Sequence, residues 1–250
     1  EDEKMDTTLY VGLSHQMAMR RNMDILANNI ANMNTTAFKK ENVVFQEYLV
    51  EMDKTDTPAA RTVSYVFDAA LMRDFTEGEF KATGNPLDFA LSGQNFFQVA
   101  KPDGTVNYTR NGHFRLSDEG ELVTSGGNPV LDDAGNTIVF LPEDRKIEVA
   151  SDGTISTNTR GIIGKLGIVT FEDLSTLQKD GSSMYSSDQD PVAPVNYTVL
   201  QGMTEGSNVQ PIVEMTSMMN FARRYESVAK ILEDQQNLQS KANNRLAKVE

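Results

Sequence analysis

Two helix-forming stretches stand at opposite ends of this 250-residue chain, more than 170 residues apart, and both carry an apolar rhythm of three or four residues. The first runs from Thr8 to Met33, with no Pro and a single Gly, Gly12. Leu9, Gly12, Gln16, Met19, Met23, Leu26, Ile30 and Met33 step along it at heptad spacing, with Leu13 and Met17 on a stripe beside. Asp6, Thr7 and Thr8 offer N-cap oxygens, and Asn34-Thr35-Thr36 should end the helix. The second runs from Ile212 to about Ala247. Met215, Met218, Ala222, Tyr225, Ala229 and Leu232 make one stripe, and Phe221, Val228, Ile231, Leu238 and Ala242 another. Pro211 suits its first turn. At about 1.5 Å per residue this helix is roughly 54 Å long, more than a compact domain needs.

Between the ends the composition changes to Gly, Asp, Asn and Thr, with short apolar runs. Phe96–Val99 and Val106–Thr109 flank Pro102-Asp103-Gly104 and read as a hairpin. Phe114–Leu116 and Glu121–Val123 flank Asp118-Glu119-Gly120 and read as another. Ile147–Val149, Thr154–Ser156 and Leu166–Phe171 read as further strands. The expected fold class is α+β, mainly β: paired N- and C-terminal long helices, coiled-coil-like, flanking an inserted all-β domain. The expected divisions are 1–40 and 206–250 for the helical part, 41–69 for a connector and 70–205 for the β-domain. The connector should begin as helix from Val43 to Met52 and loosen through Lys54-Thr55-Asp56-Thr57-Pro58.

Composition removes whole classes of function. Without cysteine there is no disulfide, thiolate metal site or thiol nucleophile. Two histidines, His15 and His113, are too few for a His-based relay or metal site. The net charge of −13 argues against nucleic acid. Residues 1–40 balance at zero and 207–250 at +1, so 41–206 carry −14. Balanced ends can pack on copies of themselves, while the acidic middle suits solvent. No apolar run is long enough to span a membrane, and an apolar leader segment is not seen, so no cleaved signal is expected. Asp132-Asp133 and Glu143-Asp144 sit beside turn residues and read as solvated loops. Asp103-x-Thr105, Asp118-x-Gly120 and Asp152-x-Thr154 lack calcium-loop spacing and read as turns. Arg224 and Glu226 cannot face each other at i, i+2. The expectation is no catalysis, no cofactor and no metal.

A pair of helices buries one face of each, yet both carry more than one apolar stripe. Ordering backbone costs about 1–2 kcal/mol per residue, against a return of roughly 25 cal/mol per Å² of apolar burial. Many neighbours would supply the area, so the helices should order on polymerisation. The residues expected at subunit interfaces are Leu9, Leu13, Met19, Met23, Leu26, Asn28, Asn29, Ile30, Asn32, Met215, Met218, Phe221, Ala222, Tyr225, Val228, Ile231, Leu232 and Leu238. Asn28, Asn29, Asn32 and Asn34 crowd one stretch of helix at a local cost. Asn28 and Asn29 read as bonding to neighbours or to a following loop, and Asn34 as fraying at the helix end. The competing reading is a folded two-helix hairpin on a β-domain, its methionines serving as core filler. A secreted β-domain adhesin is the second class.

Ala27-Asn28-Asn29-Ile30-Ala31-Asn32-Met33-Asn34-Thr35-Thr36-Ala37-Phe38-Lys39 resembles the N-terminal signature of the flagellar basal-body rod and hook family. Ala37 stands where the usual pattern has Gly, a position that often needs positive φ. Thr83–Leu91, Phe96–Val99, Tyr108–Phe114 and Leu122–Thr124 resemble the family's central segment. Gln201-Gly202, Ser207-Asn208-Val209, Glu214-Met215 and Arg224-Tyr225-Glu226 resemble its C-terminal signature. Length, the segment 53–64 and the C-terminal end look most like the proximal rod member, with the distal rod member as the alternative. The resemblance implies a subunit of the rod that crosses the periplasm, exported unfolded by the flagellar type III apparatus. Its partners would be copies of itself and neighbouring rod proteins, its terminal helices lining a hollow shaft that carries torque from motor to hook.

Overall fold

The computed structural model describes residues 2–51, 62–144, 146–181 and 183–246, with side chains described over 12–44 and 71–241 apart from 145, 182 and 239. Helix α1 spans Asp2–Ala31. Strands β1 (Glu41–Glu51) and β2 (Thr62–Arg73) follow, then β3 (Phe80–Ala82), β4 (Phe89–Leu91), β5 (Phe96–Ala100), β6 (Val106–Thr109), β7 (Phe114–Leu116) and β8 (Leu122–Thr124). Next come β9 (Ile147–Val149), β10 (Thr154–Thr157), β11 (Gly161–Lys165), β12 (Ile168–Val169), β13 (Gln178–Lys179), β14 (Met184–Ser186), β15 (Val199–Gln201) and β16 (Met203–Glu205). Helix α2 (Pro211–Leu246) closes the series.

The chain forms two compact units. One takes residues up to Ala31, Glu41–Met72 and Gln210 onward; the other takes Asn32–Lys40 and Arg73–Val209. In the first, α1 and α2 pack together and β1 pairs with β2. In the second, β12-β5-β6-β14-β13 make one sheet and β11-β10-β9 another, while β15 pairs with β4, β16 with β3 and β7 with β8. The two expected hairpins are present, with Phe97 opposite Thr109 in one and Phe114 opposite Thr124 in the other.

The pleat of β5 explains the core. Neighbouring side chains point to opposite faces, so Phe97 and Val99 enter an aliphatic cluster with Phe89, Leu122, Ile138, Ile155 and Leu166. Phe96 enters an aromatic cluster with Phe75, Tyr108, Phe171 and Tyr185. Phe96 and Phe171 meet edge-on at 5.9 Å between ring centres, and Tyr108 and Phe171 at 4.8 Å. At the turns, Asp103 and Asp152 each accept both the N–H and the hydroxyl of the threonine two residues on. Those bonds hold both carboxyls below the ordinary carboxylate range.

Three expectations need correction. The fold class does not stand in full: the chain is mostly β and its two flanking helices pack together, but the long coiled coil expected of them is not established. Among the described residues no apolar side chain of α2 is buried, whereas an interlocked seam buries its knobs. The stretch Val43–Met52 was expected as helix, but Glu41–Glu51 is strand β1. Its Val43-Val44-Phe45 and Tyr48-Leu49-Val50 favour extended backbone, and β2 supplies a pairing partner. Finally, α1 begins at Asp2, so Asp6, Thr7 and Thr8 lie inside the helix rather than at its cap. The loosened segment Lys54–Pro58 lies outside the described residues.

One loop of the β unit is tied by a charge pair. Asp144 Oδ2 accepts from Arg160 Nε at 3.0 Å and Nη2 at 2.5 Å, and from the Leu141 N–H at 2.9 Å. The guanidinium bond, aided by the peptide N–H, holds the carboxyl down from 3.8 to about 2. A carboxyl depressed on folding stabilises fully above its unfolded value and loses that contribution as pH falls through the folded one. The stability difference between wild type and Asp144→Asn should therefore be constant from pH 7 to 5 and shrink between about pH 4 and 2. Urea midpoints across that range measure it.

Candidate assembly interface

In the helical unit, Gly12 lets α1 and α2 approach closely: a methyl group there would lie 2.6 Å from Leu232 Cδ2. Of the expected interface residues, Met19 is buried. Met23, Leu26, Ile30, Met218, Phe221, Ala222, Tyr225, Val228 and Leu232 are half-buried in the isolated subunit. Leu13, Asn28, Met215, Ile231 and Leu238 are exposed. The side chain of Leu9 lies outside the described residues. The half-buried set of α2 runs 218, 221, 222, 225, 228 and 232 along one stripe. Of the second expected stripe, Phe221 and Val228 join this half-buried set, whereas Ile231 is 64% and Leu238 67% exposed. Sequence reasoning did not single out Ile212, which is 81% exposed, nor Val213 beside it.

Asn29 is wholly buried and serves as a clamp. Its Oδ1 accepts the Glu41 N–H at 3.0 Å and its Nδ2 donates to the Glu41 carbonyl at 2.9 Å. The amide thus reads the first residue of β1 as a neighbouring strand would. Nδ2 also reaches Oε2 of Glu214 at 3.4 Å, in the first turn of α2. Asn32 holds the turn after the helix instead: its Oδ1 accepts from the Thr35 hydroxyl and its carbonyl from the Thr35 N–H, both at 3.1 Å.

In the β unit, the signature segment after the helix is held by charges. Ala37 has φ of +56° and is fully buried, the left-handed backbone that the usual glycine would supply. Its N–H donates to the Glu205 carbonyl at 2.8 Å. Two residues on, Lys39 Nζ donates to Glu205 Oε1 at 2.7 Å and to the Thr76 carbonyl at 2.6 Å. Arg110 Nε donates to Glu205 Oε2 at 2.8 Å, while its other nitrogens take the carbonyls of Gly93, Asn95 and Leu91. Gly78 N–H adds a bond to Oε1 at 2.9 Å. All three charged side chains have zero exposure. Burial, and then the charge of Arg110, push the Lys39 ammonium below the ordinary lysine value, with Glu205 opposing. Asn208 completes the set. Its Oδ1 accepts the Lys40 N–H at 2.8 Å and its Nδ2 donates to the Asp74 carbonyl at 2.7 Å. Lys39, Arg110 and Asn208 all fall in the segments quoted above, but no spacing in the sequence joins them to Glu205.

Replacing Glu205 by Gln takes from two buried cations the carboxylate that bonds both and should cost about 3–5 kcal/mol of stability. Asn29→Ala strips both bonds from the Glu41 peptide and should cost the helical unit about 2 kcal/mol, with the β unit still folded. Urea unfolding followed by helical ellipticity and by tyrosine fluorescence reads the two variants.

Comparison with known proteins identifies the family. The family model of the flagella basal body rod protein matches residues 9–39. That of the flagellar hook protein FlgE/F/G D1 domain matches 90–157, and that of the flagellar basal body rod FlgEFG protein C-terminal matches 200–245. The flagellar basal-body rod protein FlgF of Caulobacter vibrioides is 41% identical over 98% of this chain and 100% of its own. The FlgF of Rhizobium meliloti is 36% identical over 95% and 97%, and the FlgG of Bacillus subtilis 31% identical over 90% and 93%. The chain therefore belongs to the flagellar basal-body rod protein family, as a structural subunit of the rod.

Proposed function

We propose that the subunit polymerises through its terminal helices as a proximal rod component and carries torque toward the hook. Exposed apolar side chains on both helices carry this reading. Met17 is 66% exposed on α1, and Ile212, Ile231 and Leu238 are exposed on α2. A monomer seldom leaves so many large apolar side chains of its helices in water without a use for them. Neighbouring copies and other rod proteins would cover these side chains, and the interface residues named from the sequence are those that would contribute. The similarity to relatives named FlgF supports the proximal position, and that to relatives named FlgG supports a distal one as the second reading.

The same reading has the chain exported by the flagellar type III apparatus to a rod in the periplasm, without catalytic work. Among the described residues no helix is long and apolar enough to cross a membrane, in keeping with a rod subunit. The domain division put forward from the sequence belongs to this reading too, as an assembling helical part and a β part that does not polymerise.

The test targets residues that the isolated subunit leaves bare. Ile231→Asp with Leu238→Asp should shift the stability of the purified monomer by no more than about 0.5 kcal/mol, because neither side chain is buried. The same pair should abolish complementation of a non-motile deletion strain and leave rods short in electron micrographs. Wild-type swimming would overturn the reading.

A further inference from the structure

We propose that Glu205 gates closure of the β unit: Lys39 and Arg110 stay in water, and the unit stays open, until its last strand delivers this carboxylate to them. Lys39 lies 166 residues before Glu205 and Arg110 lies 95 before it. Neither cation has a dry place in the fold without a counter-charge, since desolvating an unpaired ion is far more costly than desolvating a bonded pair. Arg110 is the deeper obstacle. Its fork takes carbonyls from Leu91, Gly93 and Asn95, and its guanidinium lies 5.8 Å from the Phe96 ring centre. The corner between β4 and β5 therefore cannot become dry around the cation before Glu205 arrives.

Glu205 does not come alone. The same segment lays β15 on β4 and β16 on β3, with Leu200 opposite Ala90 and Thr204 opposite Lys81. Gln201 bonds the carbonyls of Pro86 and Ile147, and Gly202 takes the N–H of Thr83. Closure is thus a single late event made by residues 199–208. For a chain exported unfolded, which rests on the export reading above, the unit would remain threadable until residues 199–208 join it. The rival picture is early collapse of the aliphatic cluster, whose members apart from Val199 lie between Phe89 and Ile168.

The test is refolding of the full-length chain from urea, with pulsed hydrogen exchange. Ala37 and Gly78 donate their amides to Glu205, while Leu122 and Val130 donate theirs within the aliphatic core. All four should gain protection in one kinetic phase. Glu205→Gln should slow that phase about tenfold or more. Adding Lys39→Met to Glu205→Gln returns the cluster to its net charge and should recover about tenfold of the rate. Core amides protected tenfold sooner than those of Ala37 and Gly78 would overturn the gate. So would a double variant no faster than Glu205→Gln alone. If Glu205→Gln fails to fold, recovery of folding in the double variant supports the gate and continued failure overturns it, with the wild-type labelling as the second readout. Refolding reads the gate without reference to export, so failure here leaves the export reading standing. Absence of the chain from exported fractions would count against that reading alone.

Discussion

Two cations share one carboxylate at a place from which water is excluded, and the β unit is arranged around that meeting. An ion removed from water loses hydration worth several kcal/mol even after relaxation, so three buried charges are a poor source of stability for their own sake. Their value is exactness of position. Glu205 Oε1 bonds Lys39 and Gly78 while Oε2 bonds Arg110, and each partner comes from a different stretch of chain. A one-residue slip of β16 against β3 would turn the carboxylate to the other face and leave both cations orphaned. An apolar residue at 205 would tolerate such a slip far better.

The asparagines do similar work without charge. Asn29 bonds the main chain of Glu41, and Asn208 bonds that of Lys40 and Asp74. An amide offers a donor and an acceptor side by side, as a peptide does, so it can end or begin a β ladder where the chain changes direction. This explains why a poor helix former sits near the end of α1: the local cost is recovered in a contact with β1. Ala37 follows the same logic. Its left-handed backbone is strained for an L-residue, and the fully buried turn, bonded to the Glu205 carbonyl, holds it there.

How far the fold was legible depends on the range of the forces. Hairpins at 96–109 and 114–124 announce themselves because a turn of Asp and Gly dictates the pairing of residues close in sequence. The two long helices show in their periodicity to within a few residues, apart from the start of α1. Val43–Met52 misled because charged and amide residues among the apolar ones imitate a helical rhythm, and only the partner strand decides the matter. The pairing of Lys39 with Glu205 leaves no local trace, since a charge carries no period and its partner lies at any distance. At the interface, the sequence marked residues such as Met19 and Ile231 alike. Their fates differ because part of each helix is covered within the subunit and part is not.

That difference connects the two units in function. The β unit pairs the buried Lys39 and Arg110 from within, through Glu205, and Asn208 ties main-chain groups beside them. The helical unit satisfies its buried amide through Asn29 and Glu214, but leaves apolar surface over. Polar groups demand exact partners, whereas apolar surface accepts any neighbour of suitable shape. A subunit that must fold the same way every time, yet join more than one kind of neighbour, would use polar contacts inside and apolar ones outside. The distribution of residues along these helices follows that division: the clamp, Asn29 near the end of α1, bonds the buried Glu214 of α2, and bare apolar side chains run on along α2 to Leu238.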